Sequence, residues 1–312
     1  METNVAVIGA GNVGATTALM LAERRLANVI MVDVVEGMPQ GKALDMGQTG
    51  PLHGYAGQVR GSNDYGDIAG ADIVVVTAGL PRKPGMSRSD LVATNAGIMK
   101  EVADHIRRQA PEAIVIVVTN PLDVMAWVAM RVTGFGADRV IGMAGVLDST
   151  RMRTFLAEEL GVHPADVTAM VLGGHGDSMV PCLSMASVSG IPVRQLVAPE
   201  RLEAIVERTR KGGGEVVSLL KTGSAYHAPA ASAVQMVEAI LHDSKRVLPC
   251  SVYLEGAYGI EGTFAGVPVR LGRAGVEHVY EIELTEVELE DLRGSAAQVR
   301  RETEALAEQG EV

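Results

Sequence analysis

The chain is poor in the residues and patterns that would mark a secreted, metal-binding or nucleic-acid-binding protein. It has two cysteines, Cys182 and Cys250, in no CxxC or other metal-ligand spacing, so a reduced, cytoplasmic protein is expected. Its seven histidines are scattered and HExxH is absent, which leaves a metal site without support. GxxxxGK[ST] is missing as well, which disfavours nucleotide hydrolysis. No apolar run approaches the roughly 18 residues of a membrane span, and strand-like residues begin at Val5, so neither a membrane partner nor a leader segment is expected. Positive charge is scarce: 27 Lys+Arg against 38 Asp+Glu give a net charge of −11. That balance argues against nucleic acid and anionic lipid as partners, and an anionic small molecule would have to be gathered by a local cluster of arginines. Repeats, low-complexity tracts and an interdomain linker are also absent. The 312 residues, 47% of them hydrophobic, suit two domains or one large α/β unit.

What is present centres on residues 171–181, VLGGHGDSMVP, where His175 follows an apolar run that reads as a strand. The glycines at 173, 174 and 176 would let a small molecule approach the imidazole closely, and histidine takes and gives a proton near neutral pH. From this stretch alone, a turn in which His175 satisfies a backbone carbonyl is the alternative.

Residues 4–8 form a β-rich run that passes into Gly9-Ala10-Gly11-Asn12-Val13-Gly14 and a helix-like stretch over 15–25. In this GxGxxG the first glycine permits the tight turn, the second lets a pyrophosphate approach the backbone, and the third lets helix pack on strand. The helix N-terminus favours the negative charge. A second strand over 29–32 ends in Asp33, where a carboxylate would bond ribose hydroxyls. No arginine follows it to accept a 2′-phosphate, so NAD is expected rather than NADP. A ligand-free βαβ turn is the bland alternative. Apolar runs at 73–78, 114–118 and 140–143, alternating with helical stretches, suit strands buried on both faces. The pattern predicts an α/β chain: a doubly wound parallel-sheet (Rossmann) dinucleotide domain over 1–143, then an α+β substrate domain over 144–312. Function then belongs at the carboxyl ends of the strands.

Three strand ends carry polar candidates. The loop Leu80-Pro81-Arg82-Lys83-Pro84-Gly85-Met86-Ser87-Arg88-Ser89-Asp90 is cationic in an acidic protein; it suits anion capture or is a solvated basic loop, with Ser87 and Asp90 as a capping box for the next helix. Asn120, between a strand and Pro121, could bond a ligand or cap a helix. In the segment beginning at Gly145, Asp148 and Arg151 share a helix face while Arg153 points elsewhere. They form an intrahelical salt bridge, or Arg151 clamps a carboxylate while Asp148 turns toward a histidine.

Together GAGNVG, Asp33, PRKPGMSR, TNPLD, GVLDSTRMR and GGHGDSMVP resemble, in order and spacing, the lactate and malate dehydrogenase family, most closely the lactate-dehydrogenase-like malate dehydrogenases. The resemblance covers nearly the whole chain. It implies NAD held by Gly9, Ala10, Gly11, Asn12, Val13, Gly14 and Asp33, with Asn95 and Val118, Thr119 and Asn120 beside the nicotinamide half. It implies His175 as proton donor and acceptor, Asp148 as the acid orienting it, Arg151 as the grip on the substrate carboxylate, and Arg88 as the loop arginine polarising the carbonyl. Asn120 would also touch substrate, and Ser224 would lie in the substrate-pocket segment. Arg82 matches the position where lactate enzymes carry glutamine and malate enzymes arginine; an arginine there pairs with a second carboxylate. The expected reaction is reversible NAD-dependent oxidation of (S)-malate to oxaloacetate, with lactate or another 2-hydroxy acid as the alternative. A homo-oligomer is implied, a tetramer ahead of a dimer.

The second half is less informative. Lys211-Gly212-Gly213-Gly214 reads as a glycine run between helical stretches, suited to close helix packing more than to phosphate. Residues 228–241 read as an apolar core or contact helix. Segments 246–254 and 264–271 read as strands, with Pro249 and Pro268 marking edges or bulges. The tail reads as a helix capped by Thr285 and Glu288, with Leu289, Leu292, Ala296, Val299 and Leu306 along one stripe.

Overall fold

A computed structural model describes residues 3–56, 59–81, 88–308 and 310, the side chain of Arg88 excepted. The first half runs β1 (Asn4–Ile8), α1 (Asn12–Glu23), β2 (Asn28–Val32), α2 (Met38–His53), β3 (Val59–Ser62), β4 (Ile73–Val76), α3 (Arg88–Gln109), β5 (Ile114–Val117), α4 (Leu122–Thr133) and β6 (Val140–Gly142). The second runs α5 (Gly145–Leu160), β7 (Val167–Leu172), β8 (Val180–Val188), β9 (Ile191–Pro192), α6 (Pro199–Leu220), α7 (His227–Leu241), β10 (Arg246–Glu255), β11 (Glu261–Gly272), β12 (Gly275–Val279) and α8 (Glu286–Glu308).

Strands β1 to β6 pair in parallel in the order β3-β2-β1-β4-β5-β6. Their apolar runs are unbroken because both faces are covered. Alternate side chains divide between two layers: Val5, Val7, Ile73, Val75 and Ile116 lie in one apolar cluster with residues of α1 and α7, while Ala6, Ile8, Val74, Val76 and Val117 lie in another with residues of α3 and α4. The strand order reverses between β1 and β4, and in such sheets the crevice beyond the carboxyl ends at that reversal receives the ligand.

The second half does not build a wholly separate layer. Strands β10, β11 and β12 extend the same sheet antiparallel from β6, through Ser251 opposite Gly142, and only β7, β8 and β9 form a second sheet. One apolar core therefore crosses from the first half to the second. Pro249 and Pro268 are neither at an edge nor at a bulge: they face each other inside the β10/β11 ladder, whose register shifts only at Leu254/Glu255. The missing N–H groups cost no ladder bond: β6 meets β10 at Ser251 alone, and on the outer side of Pro268 its carbonyl accepts from the Tyr280 N–H at 2.9 Å, a bond that needs no proline N–H.

The glycine run also differs from its expected setting, because α6 continues through Gly212, Gly213 and Gly214 as one helix. The tail helix follows the sequence reading. Thr285 and Glu288 exchange hydrogen bonds as a capping box, and Leu292, Ala296, Val299 and Leu306 are buried. Among the described residues no helix is long and apolar enough to cross a membrane.

Candidate active site

The glycine turn after β1 sits against the end of β4. Gly9 has φ of +100°, and a side chain there would meet the backbone of Ala78 at 2.7 Å; one on Gly14 would stand 1.8 Å from the Gly9 carbonyl oxygen. These two glycines are demanded by packing. Gly11 differs: its backbone suits any residue, and a side chain there would point into open space. Among the described residues no side chain caps the start of α1, so the helix N-terminus presents bare amides where an anion would lie. Asp33 follows β2 with its carboxylate held in place by backbone, accepting from the Ala10 N–H at 2.6 Å and the Val35 N–H at 3.0 Å. The exposed Val34 and Val35 beside it offer apolar surface to a flat heterocycle. Open backbone at Gly11, a bare helix end and a fixed acid fit a dinucleotide.

Two residues expected at the nicotinamide half lie just behind the strand ends. Asn95 is 1% exposed, and its amide is used on backbone: it accepts from Leu80 N–H at 2.8 Å and donates to the Leu80 and Asn120 carbonyls at 3.1 and 2.7 Å. Thr119 is buried and donates to the Ala78 carbonyl at 2.7 Å. Both side chains hold the ends of β4 and β5 in position. Asn120 is exposed, and its side chain does not cap α4, whose start carries no side-chain cap.

His175 lies in the loop from β7 to β8, and successive N–H groups of that loop are each captured by a different distant element. Gly173 donates to Gly266 of β11 at 2.8 Å, Gly174 to Ser295 Oγ of α8 at 2.8 Å, and His175 to Asp123 Oδ2 of α4 at 2.8 Å. The flanking glycines thus have a different purpose from the expected one. Gly173 has φ of +77°, and a side chain on Gly174 would press on Asp123, Ser295 and Val299; only Gly176 faces open space.

The imidazole meets α5 next. The close start of that helix requires Gly145, where a side chain would stand 2.4 Å from the Val171 carbonyl oxygen. This brings Asp148 Oδ2 to 2.7 Å from His175 Nδ1, with the two side chains 2% and 13% exposed. Asp148 Oδ1 accepts from Arg151 Nη1 at 3.0 Å. The intrahelical bridge and the turn toward histidine, alternatives in sequence, coexist on one carboxylate. Arg153 points away and donates to the Val167 carbonyl.

Burial pulls the His175 pKa down, but the charge and hydrogen bond of Asp148 outweigh it; Arg151 opposes the rise and Asp123 aids it, leaving the pKa above its ordinary value. Burial pushes the Asp123 carboxyl up, against the hydrogen bonds from Ser251 and the His175 N–H.

A cavity of about 330 Å³ joins these parts. It is lined by Val13, Val118, Asn120, Arg151, His175 and Ser224, and also by Met143, Leu147 and Arg210. Residues expected at the cofactor and at the substrate thus share one space. Arg82 lies outside the described residues, as does Ser87 of the expected capping box, and Arg88 opens α3. Asp123, Ser295 and Arg210 were not singled out by their sequence. Asp123 reads as an acid in a first helical turn, and nothing local betrays a contact 52 residues away.

A buried acid orienting a histidine, at the mouth of a dinucleotide-binding crevice, is the equipment of a nicotinamide-dependent oxidoreductase. Residues 3–142 match the lactate/malate dehydrogenase NAD binding domain, and residues 145–309 match the alpha/beta C-terminal domain of the same family. The chain belongs to the lactate/malate dehydrogenase family. It is 55% identical to a malate dehydrogenase of Chlorobium limicola over 97% of this chain and 98% of that one. Among solved structures it resembles malate dehydrogenase from Salinibacter ruber, with 49% identity, TM-score 0.94 and coverage of 99% of this chain and 100% of that one. It is also similar to lactate dehydrogenase from Cryptosporidium parvum complexed with lactic acid and the nicotinamide cofactor, with 44% identity, TM-score 0.95 and 98% of each chain covered.

Proposed function

We propose that this chain reversibly oxidises (S)-malate to oxaloacetate with NAD, and that His175 is its acid and base. The observation that carries the reading is the 2.7 Å contact of His175 with buried Asp148 in the cavity that Arg151 also lines. NAD, held by the Gly9–Gly14 turn and Asp33, would supply the acceptor for the C2 hydride of malate and, when reduced, the donor for oxaloacetate. His175 removes the C2 hydroxyl proton as the carbonyl forms and gives it back in reduction. Asp148 holds the imidazole and stabilises the imidazolium. The raised pKa extends the imidazolium form, which oxaloacetate reduction uses, to higher pH than in an ordinary histidine.

Arg151, whose Nη1 also holds Asp148, binds the carboxylate next to the reacting carbon. Arg88 stabilises charge on the reacting oxygen, Asn120 and Ser224 border the substrate, and Asn95 and Thr119 hold the strand ends that face nicotinamide. The resemblance in fold to both malate and lactate enzymes leaves the choice of substrate to individual side chains. A guanidinium at Arg82 gives the distal carboxylate of oxaloacetate a partner, while pyruvate would leave that charge uncompensated. The 55% identity to a malate dehydrogenase supports the same choice.

We place the reaction in the cytoplasm, in keeping with two unpaired, buried cysteines, and in a homo-oligomer. Leu44 and Leu52 on α2, and Leu219 and Leu220 at the end of α6, are exposed apolar side chains of the kind subunit contact covers.

The test is NADH consumption with oxaloacetate and with pyruvate. Oxaloacetate should be preferred, and Arg82→Gln should raise its KM and improve relative use of pyruvate. An unchanged preference would remove Arg82 from its assigned role, and no turnover of oxaloacetate would end the malate reading.

A further inference from the structure

The glycine run of α6 has no part in the reaction above, yet it lies against that reaction's substrate arginine. Glycine is the poorest helix former short of proline, so three in succession inside α6 need a cause other than local propensity. α6 packs on α5, and Arg151 of α5 runs along this segment. A methyl group on Gly212 would stand 3.0 Å from Arg151 Cδ and 3.5 Å from Nε, against the stem of the side chain. One on Gly213 would stand 3.6 and 3.8 Å from the terminal nitrogens Nη2 and Nη1. The distances at Gly213 are ordinary van der Waals contact and Gly214 meets no described atom within 4 Å, so the tight fit is at Gly212, with Gly213 lying against the guanidinium beside it. On its other side the guanidinium is tied to Asp148 Oδ1 at 3.0 Å, and the Arg151 side chain is 14% exposed.

We propose that Gly212 and Gly213 are positioning residues: the bare backbone of α6 is the shelf that, with Asp148, sets where the Arg151 guanidinium meets the substrate carboxylate. Gly213 also lines the cavity; the positioning role acts through Arg151, and the inference rests on Arg151 gripping the carboxylate as proposed above. A bidentate pair tolerates little displacement, since both N–H groups must reach both oxygens. A methyl at 212 shifts the stem by a few tenths of an ångström at its root and by more at the tip.

The test compares Gly212→Ala, Gly213→Val and Arg151→Lys in the intact enzyme with NADH. Because a misplacement of about 1 Å can cost roughly 10²-fold, Gly212→Ala should raise KM for oxaloacetate by about 10- to 100-fold with kcat changed much less. The carboxylate in question is common to oxaloacetate and pyruvate, so both substrates should weaken together and their ratio should stay as in the parent. NADH affinity, read by its fluorescence on binding, should not move. Gly213→Val places its extra carbons against the guanidinium and should act in the same direction, which keeps the inference testable if Gly212→Ala fails to fold. In an Arg151→Lys background neither change should add more than about twofold, since coupled positions are not additive. If Arg151→Lys raises KM and the glycine variants leave it within about twofold of the parent, the shelf is wrong. A fall in NADH affinity alongside KM would overturn it too, as the glycines would then shape the whole cleft. If Arg151→Lys itself leaves KM unchanged, the carboxylate grip fails first, and the shelf with it.

Discussion

The carboxylate of Asp148 lies 2.7 Å from His175 Nδ1 and is almost wholly shielded from water. Removal of water strengthens the pair and leaves Nε2 as the ring atom free to exchange a proton with substrate. Asp148→Asn keeps the shape and removes the charge. Its kcat is expected to fall by about 10²- to 10⁴-fold, the range for loss of general acid–base support.

The same variant has a signature in pH. Asp148 is the main influence raising the His175 pKa, and oxaloacetate reduction requires the imidazolium. In the parent that form persists to higher pH than for an ordinary histidine, so the alkaline limb of kcat/KM lies high. Asp148→Asn should move that limb to lower pH, and a pH profile of reduction reads the shift; an alkaline limb that stays in place would show another group to be titrating. Stability follows the same sign. A histidine whose folded pKa is raised contributes stability that is fully present below its ordinary value of about 6.5 and is lost as pH rises through the folded value.

Asp123 gives a separate prediction, because it holds the loop through backbone rather than through the ring. Its Oδ2 accepts the His175 N–H and its Oδ1 accepts the Ser251 hydroxyl at 2.7 Å. Asp123→Ala leaves two buried donors unpaired, and each orphaned group costs about 1–3 kcal/mol. Thermal unfolding should show a loss of several kcal/mol, with kcat reduced and NADH affinity retained. Ser251→Ala orphans one group, the Asp123 Oδ1 acceptor, while Oδ2 keeps the His175 N–H, so its loss should be about 1–3 kcal/mol and smaller than that of Asp123→Ala. Equal losses in the two variants would contradict the loop-holding role.

Most of the parallel half was legible in sequence because its signals are local. An apolar run, a glycine turn and an acid at the next strand end occur within 33 residues, and burial on both faces demands the unbroken runs. Asp148 and Arg151 were legible as a pair for the same reason, being one helical turn apart. What escaped was tertiary. The extension of the sheet by β10 to β12 depends on pairing 109 residues away in chain, Gly142 with Ser251. The facing prolines depend on which ladder bonds need an N–H, and the role of Asp123 depends on a loop 52 residues on. The glycines beside His175 were visible, but their purpose was not: whether a bare Cα clears space for a ligand or for a neighbouring element is decided by what stands opposite it.

That distinction is measurable in the first glycine motif. Gly14 and Gly11 look alike in sequence, yet a methyl on Gly14 would lie inside the Gly9 carbonyl and one on Gly11 would touch nothing. Overpacking of this severity costs at least about 1–3 kcal/mol, so Gly14→Ala should lower the melting temperature of the ligand-free protein. Gly11→Ala has an allowed backbone and no clash and loses only the small N-cap preference of glycine over alanine, so its ligand-free melting temperature should stay close to the parent and above that of Gly14→Ala. If the pyrophosphate of NADH lies against Gly11, the added methyl occupies its place, and NADH should bind at least about tenfold more weakly, equivalent to about 1.4 kcal/mol. NADH should then also stabilise Gly11→Ala less than it stabilises the parent, because ligand-induced stabilisation scales with affinity. Parent-like NADH binding by Gly11→Ala would mean that the dinucleotide does not cross the turn at that point.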